Sequence, residues 1–144
     1  MQVQQILKDK KDDGVVTVAP GTSVAAAARV LAERRIGGVV VSEDGQTPLG
    51  ILSERDIVRR LSSEGGEVLT LRVDELMTAK LQTCTRDEDS TSVLARMTEG
   101  RFRHMPVVED GVMVGIITIG DVVAAQIDEL AMEKSALQGM IMGH

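Results

Sequence analysis

The sequence predicts an α+β fold of two tandem β-α-β-β-α repeats that pack sheet to sheet as one module. The first observation is internal repetition, since a shift of 66 places residues 43–45 on residues 109–111, both reading EDG. The second is that residues 50–56 (GILSERD) match residues 115–121 (GIITIGD) at a shift of 65. The third is size, because a unit of about 60 residues buries too little surface to be stable alone. Two such units should therefore pack face to face.

The elements of the first repeat follow from local patterns. Residues 15–18 form a β-branched run that predicts a strand. Residues 24–35 place apolar side chains at helical spacing and predict a helix. Residues 38–41 and 49–52 are apolar runs on either side of an Asp-Gly turn, a pattern typical of a β-hairpin. A second helix is expected directly after this hairpin.

The second repeat has the same order of elements. Residues 81–85 predict the strand, and residues 87–100 predict a helix that begins with acidic and hydroxyl side chains, as helix N-termini favour. Residues 105–108 and 113–117 predict the hairpin around a second Asp-Gly turn, and another helix follows.

Even the segments that lead into the repeats are similar. At a shift of 70, Val3, Ile6 and Leu7 fall on residues of the same apolar type. A stretch rich in glycine and polar residues then separates the two units. We expect the chain to divide into repeat one at residues 1–62, a linker at 63–72, and repeat two with a C-terminal helical extension at 73–144.

Composition excludes several classes of function. The 144 residues carry a net charge of −6 and one aromatic residue, Phe102, so neither phosphate-backbone binding nor base stacking on aromatic rings is supported. Cys84 is the only cysteine, which excludes a disulfide framework and a zinc knuckle. The longest uncharged stretch, residues 14–28, is too short to span a bilayer, and the first residues lack an apolar signal core. We therefore expect a cytoplasmic protein without nucleic-acid or membrane partners.

The repeated signature Gly-hydrophobic-hydrophobic-Ser/Thr-x-x-Asp is the best candidate for chemistry. Ser53 with Asp56, and Thr118 with Asp121, stand where a strand gives way to a helix, so they can form helix-capping boxes. The same geometry also suits a nucleotide, because a helix N-terminus attracts phosphate and a carboxylate can accept hydrogen bonds from a ribose diol. Capping alone would explain one such site. Two copies in register favour a nucleotide site.

At these residues the chain resembles the cystathionine β-synthase (CBS) domain family. The resemblance rests on the doubled signature, on VVTVAPGTSVAAAARVLAERRIGGVVV and RFRHMPVVEDG, and on the lead-ins QVQQIL and RVDELMT. It runs from about Val3 to about Ala125, and GILSERDIVRRL is similar to small stand-alone bacterial CBS proteins. The resemblance implies a Bateman module, whose two clefts bind AMP, ADP, ATP, NAD(H) or S-adenosylmethionine and which commonly dimerises and acts as a sensor.

Carried over by position, the resemblance implies roles for particular residues. Asp56 and Asp121 would hold ribose hydroxyls, and Ser53 and Thr118 would assist at the ribose or α-phosphate. The side chains that would contact phosphate are Arg55, Arg103 and His104. The residues that would line the base are Gly38, Val39, Met105 and Pro106, with Thr17 and Thr83 as secondary candidates. Because Arg55 corresponds to Gly120, we expect one phosphate-bearing ligand to bind better than a second.

No arrangement of nucleophile, base and orienting group is recognisable, so we expect no catalytic residues and no enzyme activity. His104 lacks a second internal histidine, and we expect no metal site. With aliphatic side chains in place of aromatic ones around adenine, we expect modest affinity, suited to sensing.

The C-terminal segment predicts an amphipathic helix. Its apolar residues Val123, Ile127, Leu130, Leu137 and Ile141 follow alternating steps of four and three, interrupted by Lys134. The helix could cover its own module, but the stripe runs past the repeat and favours a homodimer. The sequence thus predicts a regulatory module that binds adenosine-containing ligands as a homodimer and responds to energy or redox state, signalling to a regulated protein. The alternative is a structural dimerisation or interaction module with vestigial clefts.

Overall fold

The computed structural model describes residues 1–10 and 14–142, and the predicted α+β fold is confirmed. In chain order the elements are α1 (Val3–Asp9), β1 (Thr17–Val18), α2 (Val24–Arg34), β2 (Gly38–Val41), β3 (Gly50–Ser53), α3 (Glu54–Glu64), a 3-10 helix (Gly65–Thr70), α4 (Val73–Leu76), α5 (Ser90–Gly100), β4 (His104–Glu109), β5 (Val112–Thr118) and α6 (Ile119–Ile141). Gly143 and His144, at the end of the predicted second repeat, lie outside the described residues. The boundaries expected for the repeats and linker remain a prediction.

Each unit presents one small sheet. In the first, β1 runs parallel to β2, and β2 pairs with β3 in antiparallel fashion. In the second, β4 and β5 form an antiparallel pair. The register places Gly38 opposite Ser53 and His104 opposite Thr118. The start of each hairpin therefore lies beside the residue that begins the next helix.

The first strand of the second unit is shorter than predicted. Of residues 81–85, Cys84 alone forms a bridge, parallel to β4 at Val107. The N–H group of Thr85 donates to the carboxylate of Glu88 at 2.6 Å. This local hydrogen bond draws the backbone into the turn before α5, which ends the pairing after one residue.

Side-chain caps and left-handed residues determine the ends of α2 and α5. Ser23 caps α2, and Asp89 caps α5, each accepting a hydrogen bond from a backbone N–H of the first turn. Both helices end at an arginine in the left-handed region, Arg35 at φ 56 and Arg101 at φ 57. The helix expected over residues 87–100 begins later because Asp89, in extended conformation, takes the capping position.

The buried side chains form three clusters. The first core consists of Val24, Ala27, Leu31, Val39, Val41, Leu52, Ile57, Val68 and Val73. The second core consists of Val3, Ile6, Cys84, Val93, Met97, Met105, Val107, Ile117, Val122 and Ala125. A smaller inter-sheet cluster consists of Val40, Ile51 and Met113. The two sheets therefore meet face to face, as the size of one repeat requires.

The lead-in segments are exchanged between the units. Val3 and Ile6 of α1 belong to the second core, whereas Val73 of α4 belongs to the first. Backbone hydrogen bonds hold both segments, from Val3 N–H to the Glu88 carbonyl at 2.9 Å and from Val73 N–H to the Thr22 carbonyl at 2.8 Å. Each lead-in thus completes the hydrophobic core of the other repeat.

Helix α6 extends well beyond its own core. Its buried residues are Val122 and Ala125, both in the first two turns. Ile127, Leu130 and Leu137 are each at least 60% exposed. Among the residues that the structure describes, no helix is both long and apolar enough to cross a membrane.

Candidate functional site

The repeated signature folds into two helix-capping boxes. In the first, the backbone N–H of Ser53 donates to Asp56 Oδ2 at 3.1 Å, and Asp56 N–H donates back to Ser53 Oγ at 3.2 Å. In the second, Thr118 N–H donates to Asp121 Oδ2 at 2.9 Å, and Asp121 N–H donates to Thr118 Oγ1 at 3.1 Å. The capping interpretation of the motif is therefore correct at both sites. It leaves Oδ1 of each carboxylate outside the cap.

A cavity of about 790 Å³ lies between the two units, within the size range of small-molecule sites. Its walls include the N-termini of both α3 and α6, so the positive ends of two helix dipoles converge on one space. Six of the residues predicted from sequence line it: Ser53, Arg55, Asp56, Arg103, His104 and Thr118.

Several lining residues were missed by the sequence interpretation. They are Arg59, Thr78, Lys80, Leu81, Gln82, Arg101 and Phe102. Arg59 is one helical turn after Arg55, and this spacing could have placed both on the same face of α3. Lys80 follows the second lead-in, and it is equivalent to Lys10 at the shift of 70. Aligning the lead-ins further along the chain could have found it.

The cavity is basic although the chain as a whole is acidic. Its charged lining side chains are Arg55, Arg59, Lys80, Arg101 and Arg103 against Glu54 and Asp56. The excess of positive charge adds to the positive ends of the two helix dipoles, and both attract an anion. In a chain with a net charge of −6, positive side chains are therefore concentrated where a phosphate could bind.

His104 lies at the junction of the two units. A Cβ built on Gly38 would stand 3.1 Å from the imidazole, so the missing side chain of this glycine makes room for the ring. Burial lowers the pKa of His104 below its ordinary value, and the positive charge of Lys10 acts in the same direction. Asp121 and Glu54 oppose this shift more weakly. At neutral pH we expect an uncharged imidazole that serves as a hydrogen-bonding group.

The residues predicted to line the base lie outside the cavity wall. The side chains of Val39 and Met105 are completely buried in the first and second cores. Pro106 is also buried, and Gly38 supports the ring of His104. A ligand could reach Val39 and Met105 only through their backbone, and the roles of all four residues stay predictions.

The two threonines proposed as secondary candidates also lie away from the cavity. Thr17 is partly buried in β1, where it pairs with Val40. Thr83 is exposed, and its carbonyl accepts a hydrogen bond from Arg96 at 2.8 Å. The structure does not bring either residue together with the six that line the cavity.

Asp121 does not line the large cavity, and its surroundings, the second cleft expected from the repeat, differ from those of Asp56. The ammonium group of Lys10 contacts Asp121 Oδ2 at 2.9 Å, and it also donates to the carbonyl of Ile116 at 2.9 Å. Both side chains are largely buried, with 17% and 20% exposed. The cavity beside Lys10, lined partly by Leu7 and Gly115, has a volume of only about 80 Å³.

Cys84 is not placed as a reactive thiol, and the described acidic side chains do not cluster to hold a metal. Cys84 is buried in the second core, and desolvation raises its pKa to about 11, which keeps the thiol protonated. Within residues 1–10 and 14–142, no group of three or more histidine, cysteine, aspartate or glutamate side chains is placed to hold a metal ion.

Comparison with known proteins identifies the family. The family model described as CBS domain matches residues 8–63 and 73–128. A CBS-domain protein from Agrobacterium tumefaciens is 40% identical, with a TM-score of 0.83 over 88% of this chain and 99% of that one. The CBS domain pair of protein MJ0100, solved with 5′-methylthioadenosine and S-adenosyl-L-methionine, is 23% identical and has a TM-score of 0.77 over 90% of this chain and 98% of that one. At that identity, the likeness to MJ0100 concerns the fold.

A curated relative, the mitochondrial CBS domain-containing protein CBSX3 of Arabidopsis thaliana, is 34% identical over 81% of this chain. The chain spans 59% of CBSX3 and about a quarter of the next two relatives, CBSCBSPB2 and CBSCBSPB3. The chain therefore belongs to the CBS-domain family and carries two CBS domains in tandem, as its repeated signature indicated.

Proposed function

We propose that this chain is a regulatory module that binds a phosphate-bearing adenosine ligand, such as AMP, ADP, ATP or NAD(H), in the cavity beside Asp56. The observation that carries the proposal is the convergence of a carboxylate, two helix N-termini and five basic side chains on one space of about 790 Å³. A ribose diol, a phosphate group and a base require these features together.

Each part of such a ligand has a counterpart in the cavity. Oδ1 of Asp56 would accept the ribose hydroxyls, since Oδ2 already serves the helix cap. Arg55, Arg103 and Lys80 would contact the phosphates, and Leu81 and Phe102 would provide apolar contacts for the base. Ser53 and Thr118 would assist at the ribose or α-phosphate through their positions at the helix N-termini.

The position of the cavity explains how a bound ligand could act as a signal. Its walls come from both repeats, so a ligand that contacts both would stabilise one arrangement of the repeats over others. A regulated protein could then recognise that arrangement. The MJ0100 pair holds adenosine compounds in the same fold, and the present proposal extends this class of ligand to the basic cavity described here.

Isothermal titration with AMP, ADP, ATP, NAD, NADH and S-adenosylmethionine tests the proposal. We expect phosphate-bearing ligands to bind with Kd of about 1 µM or weaker, equivalent to about 8 kcal/mol or less, because aliphatic groups replace aromatic stacking. Asp56→Asn removes the negative charge but keeps a capping oxygen, and it should weaken binding about ten-fold or more.

Asp128→Asn is the matched control, since it makes the same change at an exposed position of α6. It should leave binding unaltered. Absence of binding by every ligand would reject the proposal in favour of an interaction module with vestigial clefts. A nanomolar Kd would contradict the expected modest affinity.

We also propose that the chain forms a homodimer through α6. Support comes from the exposed stripe of Ile127, Leu130, Leu137 and Ile141, which continues beyond the part of α6 that covers the second core. In the described residues this stripe has no partner within the chain that would bury it. Dimerisation and ligand binding can occur in the same protein. A chain that dimerises without binding a ligand is the alternative to the regulatory proposal.

A further inference from the structure

The two clefts differ at positions that the repeat makes equivalent. The cavity residues Arg55, Arg59, Arg103 and His104 correspond, in that order, to Gly120, Ala124, Gly37 and Gly38. The first three replacements each remove a positive charge that could neutralise phosphate. Three of the positive charges that make the cavity beside Asp56 suitable for an anion therefore have no counterpart in the other repeat.

The lysine that follows each lead-in is kept, but its contacts differ. Lys80 lines the open cavity, whereas Lys10 forms an ion pair with Asp121. Charge-assisted contacts of this length are the stronger class of hydrogen bond, and the low exposure of both groups reduces screening by solvent. The negative charge of Asp121 is thus already balanced by the chain's own ammonium group, which contacts Oδ2, the oxygen that also accepts the hydrogen bond of the helix cap.

The way the lead-ins attach to the sheets also differs. In the first unit, Thr78 and Ile51 exchange two backbone hydrogen bonds, at 3.0 and 2.9 Å. In the second unit, the carbonyl of Ile116, the counterpart of Ile51, accepts from the side chain of Lys10. In the second unit a flexible side chain therefore donates to the carbonyl whose counterpart in the first unit accepts from a backbone N–H. Such a contact can open without breaking a strand pair.

We propose that Lys10 is a built-in counterion that closes the Asp121 cleft, so that the chain binds one phosphate-bearing ligand and not two. This inference rests on the proposed function, in that both clefts descend from adenosine-binding sites. Release of Lys10 would free Asp121 for a ribose diol. Because Arg55, Arg59 and Arg103 have uncharged counterparts in the other repeat, we expect the released carboxylate to take adenosine, which carries the ribose diol without a phosphate.

Titration of ADP and then adenosine tests the role of Lys10. Wild type should bind about one ADP per chain, and the ADP-saturated protein should bind no adenosine. In Lys10→Met, which keeps most of the apolar stem, the ADP-saturated protein should gain about one adenosine site per chain. Lys8→Met, which makes the same charge change at an exposed position of α1, should gain none.

The outcomes separate this inference from the function on which it rests. Adenosine binding by ADP-saturated wild type, or no gain in a folded Lys10→Met, would overturn the role of Lys10. Failure of wild type to bind ADP would count against the proposed function alone, because adenosine titration of Lys10→Met still decides whether Lys10 closes the second cleft. The double variant Lys10→Met/Asp121→Asn should lose the gained site.

A second comparison does not depend on the folding of Lys10→Met. If the second cleft is closed in wild type, Asp121→Asn alone should leave ADP affinity within about two-fold, whereas Asp56→Asn should weaken it about ten-fold or more. Both substitutions keep an oxygen for the helix cap. Equal losses in the two variants would overturn the proposal.

Discussion

Gly38 and His104 are equivalent residues of the two repeats, and they meet across the junction between them. The imidazole occupies the space that a side chain at residue 38 would need, with a Cβ there only 3.1 Å from Nε2. The ring is also surrounded by charged neighbours, Lys10, Asp121 and Glu54 among them. One repeat therefore supplies a side chain where the other supplies room, at the wall of the cavity between the units.

A double-mutant cycle tests this contact. We expect Gly38→Ala to lower the free energy of unfolding by about 1 kcal/mol, since overpacking at a site with little freedom to shift is destabilising. In a His104→Ala background the same change should be neutral or stabilising, because alanine restricts the unfolded chain. The coupling energy, measured by urea unfolding, should exceed about 0.5 kcal/mol.

Gly37→Ala is the control, because its Cβ would make an ordinary contact, 3.6 Å from His104 Nε2. It should show no such coupling to His104→Ala. Strict additivity of Gly38→Ala and His104→Ala would mean that the ring moves aside freely and that the two glycines are equivalent.

At the scale of elements, features that depend on local sequence patterns could be predicted, whereas features that depend on long-range packing could not. Sequence indicated the caps at Ser53 and Thr118 and the helix after Ser23, because these features depend on residues a few positions apart. The exchange of α1 and α4 depends on packing between segments far apart in sequence. Order along the chain suggested instead that each lead-in would pack on the repeat that follows it. The same limit applies to Lys80, whose place in the site follows from where α4 packs.

The exchange of lead-ins predicts which substitutions expose the buried thiol. Ile6 shares the second core with Cys84, although it precedes the first repeat in sequence. Ile6→Ala should cost about 2 kcal/mol or more of stability and leave a cavity beside this core. We expect the rate of Cys84 labelling by a thiol reagent, measured under native conditions, to rise strongly.

Leu76→Ala is the matched control, because Leu76 is the counterpart of Ile6 at the shift of 70 and packs against the first core. At equal loss of global stability it should accelerate labelling less than Ile6→Ala. Equal acceleration would indicate that the thiol becomes accessible only through unfolding of the whole chain, and it would leave the local effect of α1 unsupported.

At the scale of the whole molecule, the candidate ligand site and the candidate dimer surface lie at different places. The open cavity lies between the units, whereas the exposed apolar stripe lies on the part of α6 beyond them. Pairing of two chains through α6 would cover the stripe and leave the cavity accessible. A signal from the cavity could then reach α6 directly, because Thr118 caps this helix and also lines the cavity.

The dimer can be tested by light scattering at micromolar concentration. We expect a mass near twice the chain mass of 15.4 kDa. Leu130→Glu/Leu137→Glu should shift it to the monomer, because two buried carboxylates without partners would each oppose association. Met132→Glu is the control, since residue 132 lies on the opposite face of α6 and is exposed in the same way.

The control must remain dimeric for the stripe to be the interface. A monomeric wild type would reject dimerisation, and dissociation by Met132→Glu as well would show that charge on any face of α6 is sufficient. Because the cavity is built within one chain, the monomeric variant should still bind ADP. Loss of ADP binding together with dimerisation would instead mean that the partner helix supports Thr118, and that the site is assembled by the pair.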